Sequence, residues 1–273
     1  TAKASATTVP DSNTQEPTER TQKERPSISA LGPSRAWNTT RLEQINIPQI
    51  RMSYNPPTPH AYERRNTMPS YIQQIRRIPK PGKSESVLQH SIERLKSLNR
   101  RGNVNFTVSA SGESEGAIAT DIPCSSVSDL ELFHDAFRSS PDSIKAFDEI
   151  AEECAKVELQ IYRVVEPGVQ PEGGAKYNAR NILVAKRGEV ENVIETLREL
   201  RSTFETVTPL ITVPVGGNSD IVRAVAQLAS LEQLEQWSNE QTSDKFKEYR
   251  ARIGSLTIHR FIEVNRVEYR SQG

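Results

Sequence analysis

The sequence of 273 residues predicts an α+β fold made of two consecutive copies of one βαββαβ unit, preceded by a long extended N-terminal arm. Two observations lead to this prediction. Segments that begin at Tyr71 and near Tyr177 carry apolar, glycine and charged positions in the same order, and such internal similarity strongly constrains architecture. The segment before Tyr71 is different, because it holds nine of the 17 prolines in the chain.

The first strand of each copy is followed by a glycine turn and then by a helix. The run Ile75–Ile78 leads to Gly82 in the first copy, and the run Asn181–Val184 leads to Gly188 in the second. Apolar residues then recur at spacings of i, i+4 and i+7, a pattern that indicates an amphipathic helix. They are Leu88, Ile92 and Leu95 in the first copy and Val193, Leu197 and Leu200 in the second.

Two strands joined by a glycine-rich connection come next in each copy. Glycine accepts the positive φ that tight turns require, so β-branched runs on both sides of glycines predict a hairpin. The predicted strands are Val104–Val108 and Ala117–Ala119 in the first copy, and Pro209–Val215 and Ile221–Val225 in the second.

The last helix and the closing strand complete each copy. The helical pattern is interrupted at Ser139–Pro141 and again at Thr242–Ser243, which predicts two short helices or one kinked helix. The closing strands are predicted at Val157–Tyr162 and Leu256–Phe261.

This order of elements is the ferredoxin-like order. A ferredoxin-like sheet has helices on one face only, and a broad open apolar face favours association. We therefore expect the two copies to pack sheet to sheet as an intramolecular α+β barrel. The predicted domains are an arm at residues 1–70, a first repeat at residues 71–168 and a second repeat at residues 175–270.

Two helical motifs occur in both copies and carry a family resemblance. A Ser-x-x-x-Leu-x-x-Phe/Trp pattern covers Ser126–Phe133 and Ser230–Trp237, and an Asp-x-apolar-Lys-x-Phe/Tyr pattern covers Asp142–Phe147 and Asp244–Tyr249. With the closing strands, these motifs resemble the dimeric α+β barrel superfamily, which includes NIPSNAP-type proteins, stress-responsive barrel proteins and antibiotic-biosynthesis monooxygenases. The tandem arrangement is most similar to the NIPSNAP branch, and that resemblance implies a mitochondrial location.

Composition restricts the partners and the compartment. The 35 basic residues equal the 35 acidic residues, so no net charge attracts the chain to nucleic acid. No apolar run is long enough to span a bilayer. Cys124 and Cys154 are the only cysteines, which favours two buried thiols in a reducing compartment over a disulfide. These features predict a soluble, intracellular and cytoplasmic protein.

The arm suggests a docking function. Residues 1–30 are too polar to fold alone, but apolar residues are scattered among prolines and arginines from residue 37 to residue 68. An extended chain of this kind fits a groove on its own barrel or on a neighbour. We therefore expect residues 37–68 to bind protein partners or other copies of the chain, and the protein to be an oligomer or part of a larger complex.

No catalytic motif for nucleotide, zinc-protease or hydrolase chemistry is present, and four isolated histidines lack ligand spacing, so we expect neither a cofactor nor a metal. If the aliphatic residues of the closing strands face the helices, His259 faces the barrel interior, where an imidazole can act as a base. The pattern favours the simpler explanation, in which His259 is a hydrogen-bonded interior or interface residue. The candidates for ligand binding are Gln160, Tyr162, Arg180, Asn181 and Phe261, although Arg180 and Asn181 also fit an edge or interface pair.

Two functions follow from these features. The arm, the neutral charge and the absence of a convergent polar cluster favour a non-catalytic assembly or interaction protein that uses the barrel as a rigid body. The alternative is a cofactor-independent monooxygenase or isomerase that acts on a small hydrophobic molecule in the barrel. A cavity with polar groups pointing into it favours the enzyme, whereas a barrel filled by its own side chains excludes it.

Overall fold

The structure, a computed structural model, describes residues 69–110 and 116–272 of the chain. The docking segment at residues 37–68 and the rest of the arm before it lie outside the described residues, so the functions expected of them stay predictions. Within the described residues, no helix is long and apolar enough to cross a membrane.

The first half of the described chain contains four strands and three helices. These are β1 (Tyr71–Pro79), α1 (Ser84–Ser97), β2 (Arg101–Ser109), β3 (Ile118–Cys124), α2 (Val127–Arg138), α3 (Pro141–Glu152) and β4 (Cys154–Glu166).

The second half has the same order of strands and helices, with a short 3-10 turn before its last helix. Its elements are β5 (Tyr177–Ala185), α4 (Val190–Arg201), β6 (Leu210–Pro214), β7 (Ile221–Leu228), α5 (Leu231–Thr242), the 3-10 turn Asp244–Phe246, α6 (Lys247–Leu256) and β8 (Thr257–Gln272).

The interruption predicted in the last helix is confirmed in both halves. The Ser140 hydroxyl accepts a hydrogen bond from the Ser143 N–H and Pro141 is the first residue of α3, so a new helix begins there. In the second half, α5 ends at Thr242 and α6 begins at Lys247 after the 3-10 turn.

Eight strands of the described chain form a closed barrel in the order β1-β3-β2-β8-β5-β7-β6-β4, and every neighbouring pair is antiparallel. The long closing strands β4 and β8 make this closure possible. β4 pairs with β1 over its first part and with β6 over its last, and β8 likewise pairs with β5 and then with β2. The expected α+β barrel is therefore confirmed, whereas the boundaries of the predicted repeats stay predictions.

The helices pack on the outside of the barrel because apolar residues alternate along the strands. In the second half, Leu183 and Val222 face outward and pack with Val193 and Leu197 of α4. In the first half, Val104 and Ile118 pack with Val87 and Leu95 of α1. The alternate positions of the same strands point into the barrel and carry many of its polar groups.

Candidate functional site

A cavity of about 1230 Å³ opens at one end of the barrel. Its wall is formed by the first residues of β1, β2, β5 and β6 and the last residues of β3, β4, β7 and β8, which antiparallel pairing brings to the same end. The volume exceeds the roughly 300–1,000 Å³ of ordinary small-molecule pockets. Inward-facing residues of the wall include Ile72, Asp121, Tyr162, Arg180, Thr212 and Arg223.

Asp121 on β3 organises one side of the cavity wall. Its Oδ1 accepts a hydrogen bond of 2.5 Å from Gln74 Nε2, and its Oδ2 accepts bonds of 2.9 Å from Asn105 Nδ2 and 2.7 Å from Arg180 Nη2. Both members of the Asp121–Arg180 pair are therefore satisfied within the protein. Because three donors from three strands hold one carboxylate, this side of the wall has a fixed geometry.

Arg223 on β7 lies on the opposite side of the wall and is not satisfied in this way. Its guanidinium carbon lies 3.9 Å from the centroid of the Tyr162 ring, and its Nη1 donates only a long bond of 3.4 Å to Gln74 Oε1. The Arg223 Nε is buried without a hydrogen-bond partner. In the described part of the chain, no carboxylate forms an ion pair with the Arg223 guanidinium. The Tyr162 ring offsets part of the cost of this buried charge.

Thr212 and Asn178 add two further unsatisfied polar atoms to the wall. Thr212 on β6 is the cross-strand neighbour of Arg223, and its hydroxyl is buried without a partner. Asn178 on β5 donates through Nδ2 to Asn105 Oδ1, while its own Oδ1 has no partner. Each such buried group costs about 1–3 kcal/mol unless something bonds to it, so the wall has hydrogen-bonding capacity that its own residues do not use.

A second polar cluster occupies the barrel interior beyond the cavity. Arg76 donates to Glu158 at 2.8 Å, and Glu263 lies 4.0 Å from both Arg76 and Arg180. Arg76, Glu158 and Glu263 are not part of the cavity wall. In this cluster, the positive and negative charges offset one another.

The mouth of the cavity is rich in arginine. Arg100 pairs with Asp129 at 2.5 Å. Burial by itself raises the pKa of Asp129, but hydrogen bonds from Ser125 and Arg100 outweigh it and lower the pKa below its ordinary value. Arg270 donates to Asn103 Oδ1 and to the Ala175 carbonyl.

The predicted site residues divide between three places. Tyr162 and Arg180 line the cavity, and Gln160 accepts a hydrogen bond from the Tyr162 hydroxyl. Asn181 does not reach the cavity, because alternate residues of β5 face opposite ways and Asn181 faces outward, where it accepts a bond of 2.9 Å from Arg260. The expectation that Arg180 and Asn181 share one cavity is therefore wrong.

His259 and Phe261 lie away from the cavity. They are near the start of β8, which belongs to the opposite end of the barrel, and their ring centroids are 5.4 Å apart. His259 is exposed, and neither ring lines the cavity wall. An imidazole base at this position is too far along the strand to act in the cavity.

Sequence reasoning missed Asp121, Asn178, Thr212 and Arg223. A usable signal existed for Arg223, which is the one charged residue in the apolar run Ile221–Leu228. A charge in the middle of a buried strand is rare unless it is paired or functional. No comparable signal marks Thr212, because threonine is common in strands.

Metal binding has no support in the described residues, which hold no group of three His, Cys, Asp or Glu side chains near enough to share an ion. Cys124 and Cys154 are free and buried, as expected from the sequence, and burial raises the pKa of the Cys124 thiol to about 11.

Comparison with known proteins identifies the fold. No protein-family model and no curated protein matches the sequence. Among solved structures, an anthrone oxidase-like protein aligns with a TM-score of 0.54 and 12% identity over 74% of this chain and 93% of its own. A proposed monooxygenase from Fusobacterium nucleatum aligns with a TM-score of 0.56 and 8% identity, over 77% and 97%. Another, from Lactobacillus acidophilus, aligns with a TM-score of 0.53 and 9% identity, over 75% and 97%.

These findings correct the function expected from the sequence. The prediction of a non-catalytic assembly protein is wrong, because these three structures of the same fold are named as oxidase-like or monooxygenase proteins and because the barrel contains a large cavity. The premise that the chain lacks a convergent polar cluster was also wrong, since Asp121, Thr212 and Arg223 all line that cavity. At identities of 8–12%, the comparisons establish the architecture: the chain has the α+β barrel fold of these proteins.

Proposed function

We propose that this protein is a cofactor-independent enzyme of the monooxygenase or isomerase kind, acting on a small, largely hydrophobic molecule in the barrel cavity. One observation carries the proposal. The wall of the 1230 Å³ cavity presents a buried, unpaired Arg223 beside the unsatisfied hydroxyl of Thr212. Preformed donors in a site of low dielectric are the usual means by which enzymes stabilise charge that develops during a reaction.

The geometry suits chemistry that passes through an enolate. When water at the open end of the cavity takes a proton from a carbon next to a carbonyl group, negative charge develops on the carbonyl oxygen. An oxygen placed between Arg223 and Thr212 would receive hydrogen bonds from a cation and a hydroxyl, and the Tyr162 ring holds the guanidinium in position. An isomerase returns the proton to a different carbon, whereas a monooxygenase passes electrons from the enolate to dioxygen, giving a new carbonyl group and water.

Anthrone is a suitable first substrate because one structural neighbour is named as anthrone oxidase-like. Its oxidation balances as anthrone plus dioxygen giving anthraquinone plus water. We expect the protein to accelerate exchange of the anthrone methylene hydrogens in D₂O under argon, as measured by NMR. Dioxygen uptake in air then separates the monooxygenase from the isomerase.

Substitution of Arg223 tests whether the cavity is responsible. Arg223→Gln is expected to slow hydrogen exchange by about a hundredfold, the usual cost of removing one oxyanion donor. Arg266→Gln is the matched control, because it also removes one positive charge and because Arg266 does not line the cavity. If neither anthrone nor related cyclic ketones exchange hydrogen faster with the protein than without it, the enzyme proposal fails.

We also propose that the two halves, near residues 71–168 and 175–270, descend from one duplicated unit. The same order of elements and the equivalent helix caps at Ser126 and Ser230 support this. A closer kinship with the NIPSNAP branch, and the mitochondrial location that it implies, rest on the sequence resemblance alone.

A further inference from the structure

We infer that the molecule bound in the cavity carries an oxyanion on an apolar, ring-bearing body, and that Arg223 and Thr212 bind this oxyanion. The inference rests on the proposed function for its chemistry, but it concerns the charge of the ligand before any reaction. Its test therefore measures binding and needs no turnover.

The charge of the cavity wall is the first argument. Five arginines and two aspartates line the cavity, although the whole chain has equal numbers of basic and acidic residues. Arg180 pairs with Asp121, and Arg100 pairs with Asp129. The other three arginines of the wall, Arg101, Arg223 and Arg270, form no ion pair within the described part of the chain. A wall with this excess of positive charge favours an anion.

The position of Arg223 is the second argument. Arg223 is 7% exposed and Thr212 is 1% exposed, so both side chains are buried. An unpaired charge in such a place is costly. A guanidinium presents several N–H groups in one plane, which matches the oxygens of a carboxylate or an ionised enol or phenol. The hydroxyl of Thr212, the cross-strand neighbour of Arg223, supplies a further donor in the same part of the wall.

The other residues of the wall indicate the chemical character of the rest of the ligand. Ile72, Val164, Leu210 and Val225 line the cavity near Tyr162 and present apolar surface. The ring of Tyr162 lies against the Arg223 guanidinium, so an aromatic surface borders the cation. A ring system that carries one acidic oxygen or a carboxylate would be complementary to both the apolar residues of the wall and the Arg223 guanidinium.

The first experiment compares matched probes on the wild-type protein by isothermal titration calorimetry. 2-Naphthoate is paired with neutral 2-naphthamide to test a carboxylate, and 4-nitrophenolate is paired with neutral nitrobenzene to test an ionised phenol. A hydrogen bond between charged groups corresponds to at least about a tenfold change in affinity. We expect at least one anion to bind tenfold more tightly than its neutral partner, and the preferred pair then identifies the type of oxyanion.

The second experiment locates the binding. Arg223→Gln and Thr212→Val are expected to weaken binding of the preferred anion, by tenfold or more for Arg223→Gln, and to change binding of its neutral partner by less than about threefold. Arg223→Met keeps the apolar stem over Tyr162, and it replaces Arg223→Gln in this comparison if the glutamine variant does not fold. Arg266→Gln controls for the loss of one positive charge elsewhere.

Three results would overturn the inference. The first is that both neutral probes bind as tightly as their anions, and the second is that Arg266→Gln weakens anion binding as much as Arg223→Gln. Neither result affects the enzyme proposal if anthrone still exchanges hydrogen. The third is that no probe binds, and if hydrogen exchange is then absent too, the proposed function fails together with the inference.

Discussion

At the level of single residues, burial makes the two cysteine thiols unreactive. Cys124 and Cys154 are fully or almost fully buried, and burial raises the pKa of both thiols, that of Cys124 to about 11. The thiolate is the reactive form, and a raised pKa keeps each group protonated until the pH exceeds it.

We therefore predict that neither cysteine reacts with iodoacetamide at pH 8 while the protein is folded. Mass spectrometry should show no added carbamidomethyl group under native conditions and two groups after unfolding in urea. Rapid modification of the folded protein at pH 8 would contradict the burial of these thiols.

Neighbouring arginines on β1 have opposite expected effects on stability. Arg77 is 2% exposed, donates one bond of 3.2 Å to Thr120 Oγ1 and has no carboxylate partner among the described residues. Burial lowers its pKa to about 10. Arg76, by contrast, faces the barrel interior and pairs with Glu158.

We predict that Arg77→Met raises the free energy of unfolding by about 1–4 kcal/mol, because an apolar side chain of similar length removes a desolvated charge. Since the lowered pKa of Arg77 disfavours the folded cation, this gain should be complete below pH 10 and shrink as the pH rises above it. Arg76→Met should instead destabilise the protein, because it removes the 2.8 Å ion pair with Glu158 and one of the two arginines that lie 4.0 Å from Glu263. Urea unfolding of both variants checks the two signs.

At the level of elements, equivalent helices in the two halves begin with the same cap. The Ser126 hydroxyl accepts from the Asp129 N–H, and the Ser230 hydroxyl accepts from the Gln233 N–H, both at 3.1 Å. Such caps satisfy a backbone donor that the helix itself leaves unpaired.

Ser126→Ala and Ser230→Ala should each lower the free energy of unfolding by about 1 kcal/mol. Ser238→Ala provides the control, because Ser238 is an exposed residue inside α5 and caps no helix. Chemical denaturation of the three variants tests the comparison, and an equal effect at all three positions would show that the caps contribute nothing.

For the molecule as a whole, the two halves complete each other's sheets. The free edges of the first half are β2 and β4, and these pair with β8 and β6 of the second half. A half alone would present two unpaired strand edges and an open inner face, both of which favour association.

We predict that the described chain unfolds as one cooperative unit. In a Trp37→Phe background, fluorescence reports only Trp237 in the second half, whereas far-UV circular dichroism reports both halves. The two urea transitions should coincide. A fragment of residues 69–166 should self-associate in size-exclusion chromatography, and a monomeric folded fragment would argue against mutual completion.

The limits of sequence-based prediction follow from the range of the interactions involved. Helix caps, glycine turns and apolar spacing depend on residues near one another in the chain, so the order of the elements and the break before α3 were predictable. Alternation along β8 predicts the face of the strand on which His259 lies, but alternation does not give position along the barrel axis. His259 therefore proved to lie at the wrong end.

By itself, the sequence determined the types and order of the elements and the equality of positive and negative charge. Tertiary structure alone decided which inward residues meet. Arg223 reaches Tyr162, and Asp121 reaches Arg180, only because barrel closure fixes the register between strands that are distant in the chain. Barrel closure also brings five arginines to the cavity at one end of a protein with no net charge. Composition gives only the number of charges, whereas the fold determines where they lie.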